Sequence, residues 1–398
     1  MDAEENKTEY FKDFLEEEGN EKLKIRIENA LQAFASGNDY MFLRCLRVVA
    51  VDARTDVAFN NATCKVETMG IETKESKYMA PIGCFFLTGY KILQDFLADR
   101  ASTPRVPADK FQRRALQRLL QFLSSSDHSV LAERGEEGCE ATVARRYAEH
   151  LLMPLVDEKT YMIDSYPGIQ YVKCCDVDHS YSGKCGDTSF GLEDGWHGNV
   201  DLLIMNNTDV ELPVSFGQSS EDDVSVSESG DKVLDNEYSQ MVVKTFVFSY
   251  LQGRQNSGKM QNNLIPSIGI KNEKLIVFMY DCENDVLLGS HLLDLFDEGD
   301  IDVRIVIFLW FILNYKLFCT GLIDDYKFDN YQADFHTLLD EDCLQRYRNG
   351  VTMPCHSKTS HKRCFDPNKS DVPPVLEKRV KISNLPEILQ WDIFDDRC

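Results

Sequence analysis

The chain has 398 residues, 43 Lys and Arg against 66 Asp and Glu, and a net charge of -23. At 43% hydrophobic and 11% aromatic it can bury a sizeable core, in two domains or one elaborated one. The acidic balance argues against broad, sequence-independent binding to phosphate backbones, which needs Lys and Arg, although a groove can still be locally basic.

Residues 1–35 read as acidic helix, with apolar spacing in FKDFL and LKIRIENALQAF, and residues 39–51 continue that reading. The start, MDAEENKTEY, lacks the basic and apolar regions of a signal peptide. The 13 cysteines show no secretory framework, so an intracellular protein with reduced thiols is expected. Residues 52–80 read as loop or hairpin. PIGCFFLTGYKILQDFLAD from Pro81 reads as helix, ended by Pro104 and Pro107, and a further helix runs from Ala108 to Phe122. Residues 1–123 are thus expected to form a helical N-terminal region, and the polar stretch 124–138 a linker.

A helix is expected from about Cys139 in CEATVARRYAEHLLMPLV, then strands near Gly168–Val177, Val200–Met205 and Glu211–Phe216. Residues 219–236 are acidic and serine-rich, with too little apolar surface to order themselves. Acids downstream of Ser219, Ser220 and Ser225 would suit acid-directed phosphorylation. EYSQMVVKTFVFSYLQ from Glu237 is a strong helix pattern, and IPSIGI and EKLIVFMYD read as strands. The longest apolar run, Ile305–Leu313, is too short to span a bilayer and reads as a core helix. Residues 351–398 read as a loosely ordered tail. The fold class is α/β or α+β, a small mixed sheet flanked by helices.

Chemistry concentrates between Gly195 and Phe248. GWHGNVDLLIM runs a glycine-rich turn into an apolar strand with one acid, Asp201. Such an acid is costly unless it meets water, a cation or a partner. A second strand, ELPVSFG, and the helix carrying Gln240 and Lys244 follow. Strand, strand and helix with a carboxylate at the hairpin resemble the PD-(D/E)XK nuclease superfamily, over roughly residues 139–300.

The resemblance implies a restriction-endonuclease-like core in residues 139–350 and a set of site residues. Asp201 matches the strand acid, Gln240 the helix glutamine, and Glu140 is the candidate first-helix acid. Asp201 and Glu140 would then be the ligands of Mg2+ or Mn2+. The family's Glu-x-Lys falls on Ser215 and Gly217, so both its carboxylate and its lysine are missing from that strand. Glu211 lies about 13 Å along the strand from Ser215 and cannot substitute. Lys244, one helical turn after Gln240, is placed to supply the lysine.

A degenerate nuclease, a pseudoenzyme that binds DNA or a protein bound to DNA, is therefore expected. The alternatives are an active magnesium-dependent DNA endo- or exonuclease using Asp201, Glu140, Gln240 and Lys244, and a structural interaction protein unrelated to nucleases. Two Cys/His groups could bind zinc: Cys174, Cys175, His179, Cys185 and His197, and Cys355, His356, His361 and Cys364, of which the second matches no common finger spacing. Structural zinc is not expected.

Overall fold

The computed structural model describes residues 5–70, 76–98, 105–125, 131, 140–164, 183–206, 209–216, 236–256, 260–297, 299–327 and 329–353. Helices α1 (Glu5–Glu16) and α2 (Glu21–Ser36) open the chain. Gly37, at φ 75°, stops α2 in the left-handed conformation that favours glycine, and its N–H returns to the carbonyl of Ala33.

The chain then turns into β1 (Phe42–Val51), which corrects the helical reading of residues 39–51. The run of Val48, Val49 and Val51 is β-branched and suits a pleated surface. A register shift between Val48 and Ala50 breaks the two-residue alternation that would have announced a strand. Short strands β2 (Val57–Ala58), β3 (Cys64–Thr68) and β4 (Met79–Pro81) follow, then helices α3 (Ile82–Phe85), α4 (Leu87–Ala98) and α5 (Lys110–Ser124). Asp109 caps α5 by accepting from the N–H groups of Phe111 and Gln112.

The next block carries the site. Helix α6 (Glu140–Tyr147) continues through a π-helical segment, Ala148–Leu152, into β5 (Thr160–Asp164). Strands β6 (Gly183–Gly186), β7 (Phe190–Gly191), β8 (Trp196–Gly198), β9 (Leu202–Asn206) and β10 (Asp209–Phe216) lead to helix α7 (Asn236–Gln255). Strands β11 (Leu264–Lys271), β12 (Lys274–Asp281), β13 (Val286–Ser290) and β14 (Leu293–Asp294) complete the main sheet. Helices α8 (Val303–Leu313), α9 (Tyr315–Phe318), α10 (Phe335–Leu338) and α11 (Glu341–Gly350) end the described chain.

The main sheet has eleven strands in the order β3-β1-β13-β12-β11-β10-β9-β5-β6, with β4 beside β1 and β14 beside β12. The mixed α/β architecture matches the fold class read from the sequence, but the sheet is larger than the small one expected. The N-terminal region is the reason: β1, β3 and β4 belong to it and enter the sheet through the pairing of β1 with β13. β10 and β11 are parallel, joined by the crossover helix α7. The antiparallel ladders β5–β9 and β9–β10 lie beside them.

Buried apolar runs in β11 and β12 mark strands covered on both faces. Helix α8 is buried at every position except Arg304, as a helix apolar all round must be. Its Trp310 indole donates to the carbonyl of Ala115 in α5 at 2.8 Å. No helix among the described residues is long and apolar enough to cross a membrane. The strand expected at Gly168–Val177, nearly all of the 124–138 linker and the 219–236 insertion, and the tail beyond Met353 lie outside the described residues.

Candidate functional site

The register of three strands builds one transverse row. Ile163 of β5 and Val214 of β10 both pair with Leu202 of β9. One position further, the N–H of Asp164 donates to the carbonyl of Asp201 at 3.1 Å. Asp164, Asp201 and Ser215 are therefore neighbours across the sheet, and directly opposed residues point to the same face. The row continues to Gly269 on β11.

Each polar group in the row has a partner. Asp201 accepts the backbone N–H of Phe216 at 2.7 Å. Asp164 accepts from the Asn199 amide at 2.6 Å and the Thr188 hydroxyl at 3.0 Å. Lys244, on α7, donates to the Ser215 hydroxyl at 3.1 Å. The lysine thus reaches the strand position where the resemblance places a carboxylate.

The remaining residues singled out from the sequence lie elsewhere. Gln240 donates to the carbonyl of Asn60 at 2.8 Å, in the loop before β3, rather than to Asp201. Glu140 begins α6, but its side chain is outside the described residues, as is Gly217. The acid that the helix before β5 does bury is Glu149, held by Arg145 at 2.9 Å and the Tyr161 hydroxyl at 2.5 Å. Tyr161 has the opposite parity to Asp164 on β5, so Glu149 lies across the sheet from Asp201.

Glu211 is committed to Lys159 at 2.6 Å and Lys316 at 3.3 Å. Burial alone would raise its pKa, but the two lysines outweigh burial and hold it below the usual carboxylate range.

Asp164 is the residue the sequence reading missed. The stretch TYMID is rich in β-formers and ends in an acid, but directly after a helix it gave no turn signal to mark a strand. With it, the row offers two carboxylates and a hydroxyl. These are hard oxygen donors, and magnesium takes one or two carboxylates and completes its shell with water. The donor types fit such an ion, although no group of three or more His, Cys, Asp or Glu suited to a metal occurs among the described residues. Of the first Cys/His group, Cys185 is exposed and free, and His197 lies 3.1 Å from the carbonyl of Gly195. The other members and the whole second group lie outside the described residues.

Comparison with known proteins gave no matching family model, no matching curated protein and no matching solved structure.

Proposed function

We propose that this chain is a nuclease-derived module of the PD-(D/E)XK kind that has lost efficient cleavage and acts by binding DNA or a protein bound to DNA. The observation that carries the reading is the Lys244–Ser215 contact: a helix-borne ammonium sits on a neutral hydroxyl at the position the resemblance aligns with the catalytic carboxylate. Helix α6, the antiparallel strands β5, β9 and β10, helix α7 and the parallel strand β11 follow in that order, with β6–β8 inserted between β5 and β9, and support it.

In this reading Lys244 offers a positive charge to a phosphate at the row, and the Phe216 N–H fixes the Asp201 carboxylate. A divalent cation, when bound, would activate water and steady charge on the phosphate. Asp201 and Asp164 are the residues to hold it, and Ser215 contributes no charge to the site.

A second reading, an active magnesium-dependent nuclease, is favoured by one observation, the placement of Asp164 directly opposite Asp201. Incubating the purified chain and labelled DNA with magnesium or manganese separates the two. The first reading expects cutting no faster than that of Asp201→Ala. Robust cutting that Asp201→Ala and Asp164→Ala both abolish overturns it in favour of the second.

A further inference from the structure

Asp39 and Tyr40, in the turn between α2 and β1, both adopt left-handed backbone, at φ 52° and 63°. Residues other than glycine rarely do so, and two in succession must be held in place. Arg304 of α8 holds the first through an ion pair with Asp39 at 3.0 Å. The turn leaves Tyr40 62% exposed.

The tyrosine ring is one of a group. Its centroid lies 4.6 Å from that of His291, which follows β13, and His291 meets Phe42 edge to face at 5.1 Å. Phe42 of β1 pairs with Pro81 of β4. Two residues on, Arg44 pairs with Met79, itself 40% exposed. Burial, and then Arg44, push the His291 imidazole down to about 4, so the ring is neutral at pH 7. Three rings and a thioether thus make one uncharged surface.

Strand register places this surface on the face that carries Ser215 and Lys244. Ser215 of β10 pairs with Gly269 of β11, and Gly269 with Ile276 of β12. Phe278 pairs with Gly289, two residues from Ile276 and His291, and Leu43 pairs with Ser290, one residue from Phe42 and His291. Ser215, Gly269, Ile276, His291 and Phe42 therefore follow one transverse row. A Cβ on Gly269 would meet Ile276 and Met241 of α7, so α7 covers the middle of the row and leaves its two ends. Four strand spacings separate Ser215 from Phe42, about 19 Å along the sheet. One strand of DNA covers that distance in about six nucleotides at the duplex rise of about 3.4 Å, and in fewer when extended.

We propose that Tyr40, Phe42 and His291 form a stacking platform for an unpaired base, so that the DNA engaged at Lys244 carries a single-stranded segment within about six nucleotides of that contact. The proposal rests on the nuclease-derived reading above. Stacking suits this chain, because every base has a π-face and the contact needs no positive charge. A net charge of -23 limits what phosphate contacts can supply.

The test is binding of labelled DNA by the full chain, read by fluorescence anisotropy at one salt concentration. A blunt duplex is compared with the same duplex bearing a single-stranded tail of about ten nucleotides. The tailed duplex is expected to bind about tenfold tighter. Tyr40→Leu, which keeps apolar bulk but not the ring, should lose that advantage, and Tyr40→Phe should keep it. Equal affinity of the parent for the two DNAs, or an advantage that survives in Tyr40→Leu, overturns the platform and leaves the nuclease-derived reading standing. Binding to neither DNA overturns the DNA-binding form of that reading, and the platform with it. A 5-iodouracil in the tail gives a check on the unsubstituted chain. Irradiation should crosslink it to Tyr40, Phe42 or His291, and crosslinks confined to other residues also overturn the proposal.

Discussion

Ser215 and Glu211 stand four positions apart on β10 and show how differently one strand treats charge. Ser215 is neutral and accepts from Lys244, while Glu211 is an ionised carboxylate clamped between Lys159 and Lys316. The Lys159 ammonium also donates to the carbonyl of Leu313, so the pair ties β10 to the end of α8. Removing one partner of a buried pair leaves the other charge uncompensated, at a cost of about 3–5 kcal/mol. Glu211→Ala should lose stability of that order in a denaturant titration at pH 7. The native pKa of Glu211 is depressed, so its contribution is present above the unfolded carboxyl value and is lost as pH falls through the native one. The gap between parent and Glu211→Gln should therefore narrow in acid.

Gly191 illustrates a different constraint. It adopts φ 143°, and an added Cβ would lie 2.4 Å from both the His197 Cα and the Trp196 carbonyl oxygen. Because those atoms are backbone, Gly191→Ala should cost about 3 kcal/mol or more, read from the denaturant midpoint.

What the sequence made legible at this level follows from spacing. Lys244 falls one helical turn after Gln240, which directed it to the position of Gly217; its contact with Ser215 instead was not legible from that spacing. Nor was the engagement of Gln240 with Asn60, because the loop that receives it lies 180 residues away in the chain. Asp164 stayed hidden because its significance depends on a strand register, which a single short apolar stretch does not reveal.

Helix α7 answers why a polar pattern can mislead. Its Ser239, Thr245, Ser249 and Gln252 are buried, and each reaches a different part of the fold. Ser239 accepts the Cys64 N–H at 2.6 Å, Thr245 meets Ser267, Ser249 donates to the Tyr280 carbonyl, and Gln252 donates to the Val210 carbonyl. These four positions are covered by strands β3, β11, β12 and β10. The apolar periodicity announced the helix; the polar positions gave no sign of burial, since hydrogen bonds to distant backbone satisfy them. Ser239→Ala strands the Cys64 N–H, and Gln252→Leu strands the Val210 carbonyl. Each should cost about 1–3 kcal/mol in chemical unfolding, where an exposed helical face would tolerate both.

The whole molecule is organised by β1. It pairs with β13 on one side and with β3 and β4 on the other, so the N-terminal region and the site-bearing block share one sheet. Helix α2 packs on α8, adding apolar contact to the same union. Residues 140–353 expressed without the first 139 should therefore be insoluble or aggregated, since β13 would lose β1 and expose an edge. A soluble, monomeric product on gel filtration would contradict this. The α/β class was legible from the alternation of helix and strand patterns after Cys139. The size of the sheet was not, because the valine run of β1 was read with the helix before it.

The pairing of β1 with β13 also sets an order of events during synthesis. A ribosome delivers β1 with β3 and β4 early, but β13 emerges only after α7, β11 and β12 have been made. Throughout that interval the Leu43–Leu46 edge of β1 that β13 will pair has no strand to bond. Nascent chains with unpaired edges and slow, non-local pairing attract chaperones or one another. The growing polypeptide thus has its period of greatest vulnerability while most of its future core is still being translated.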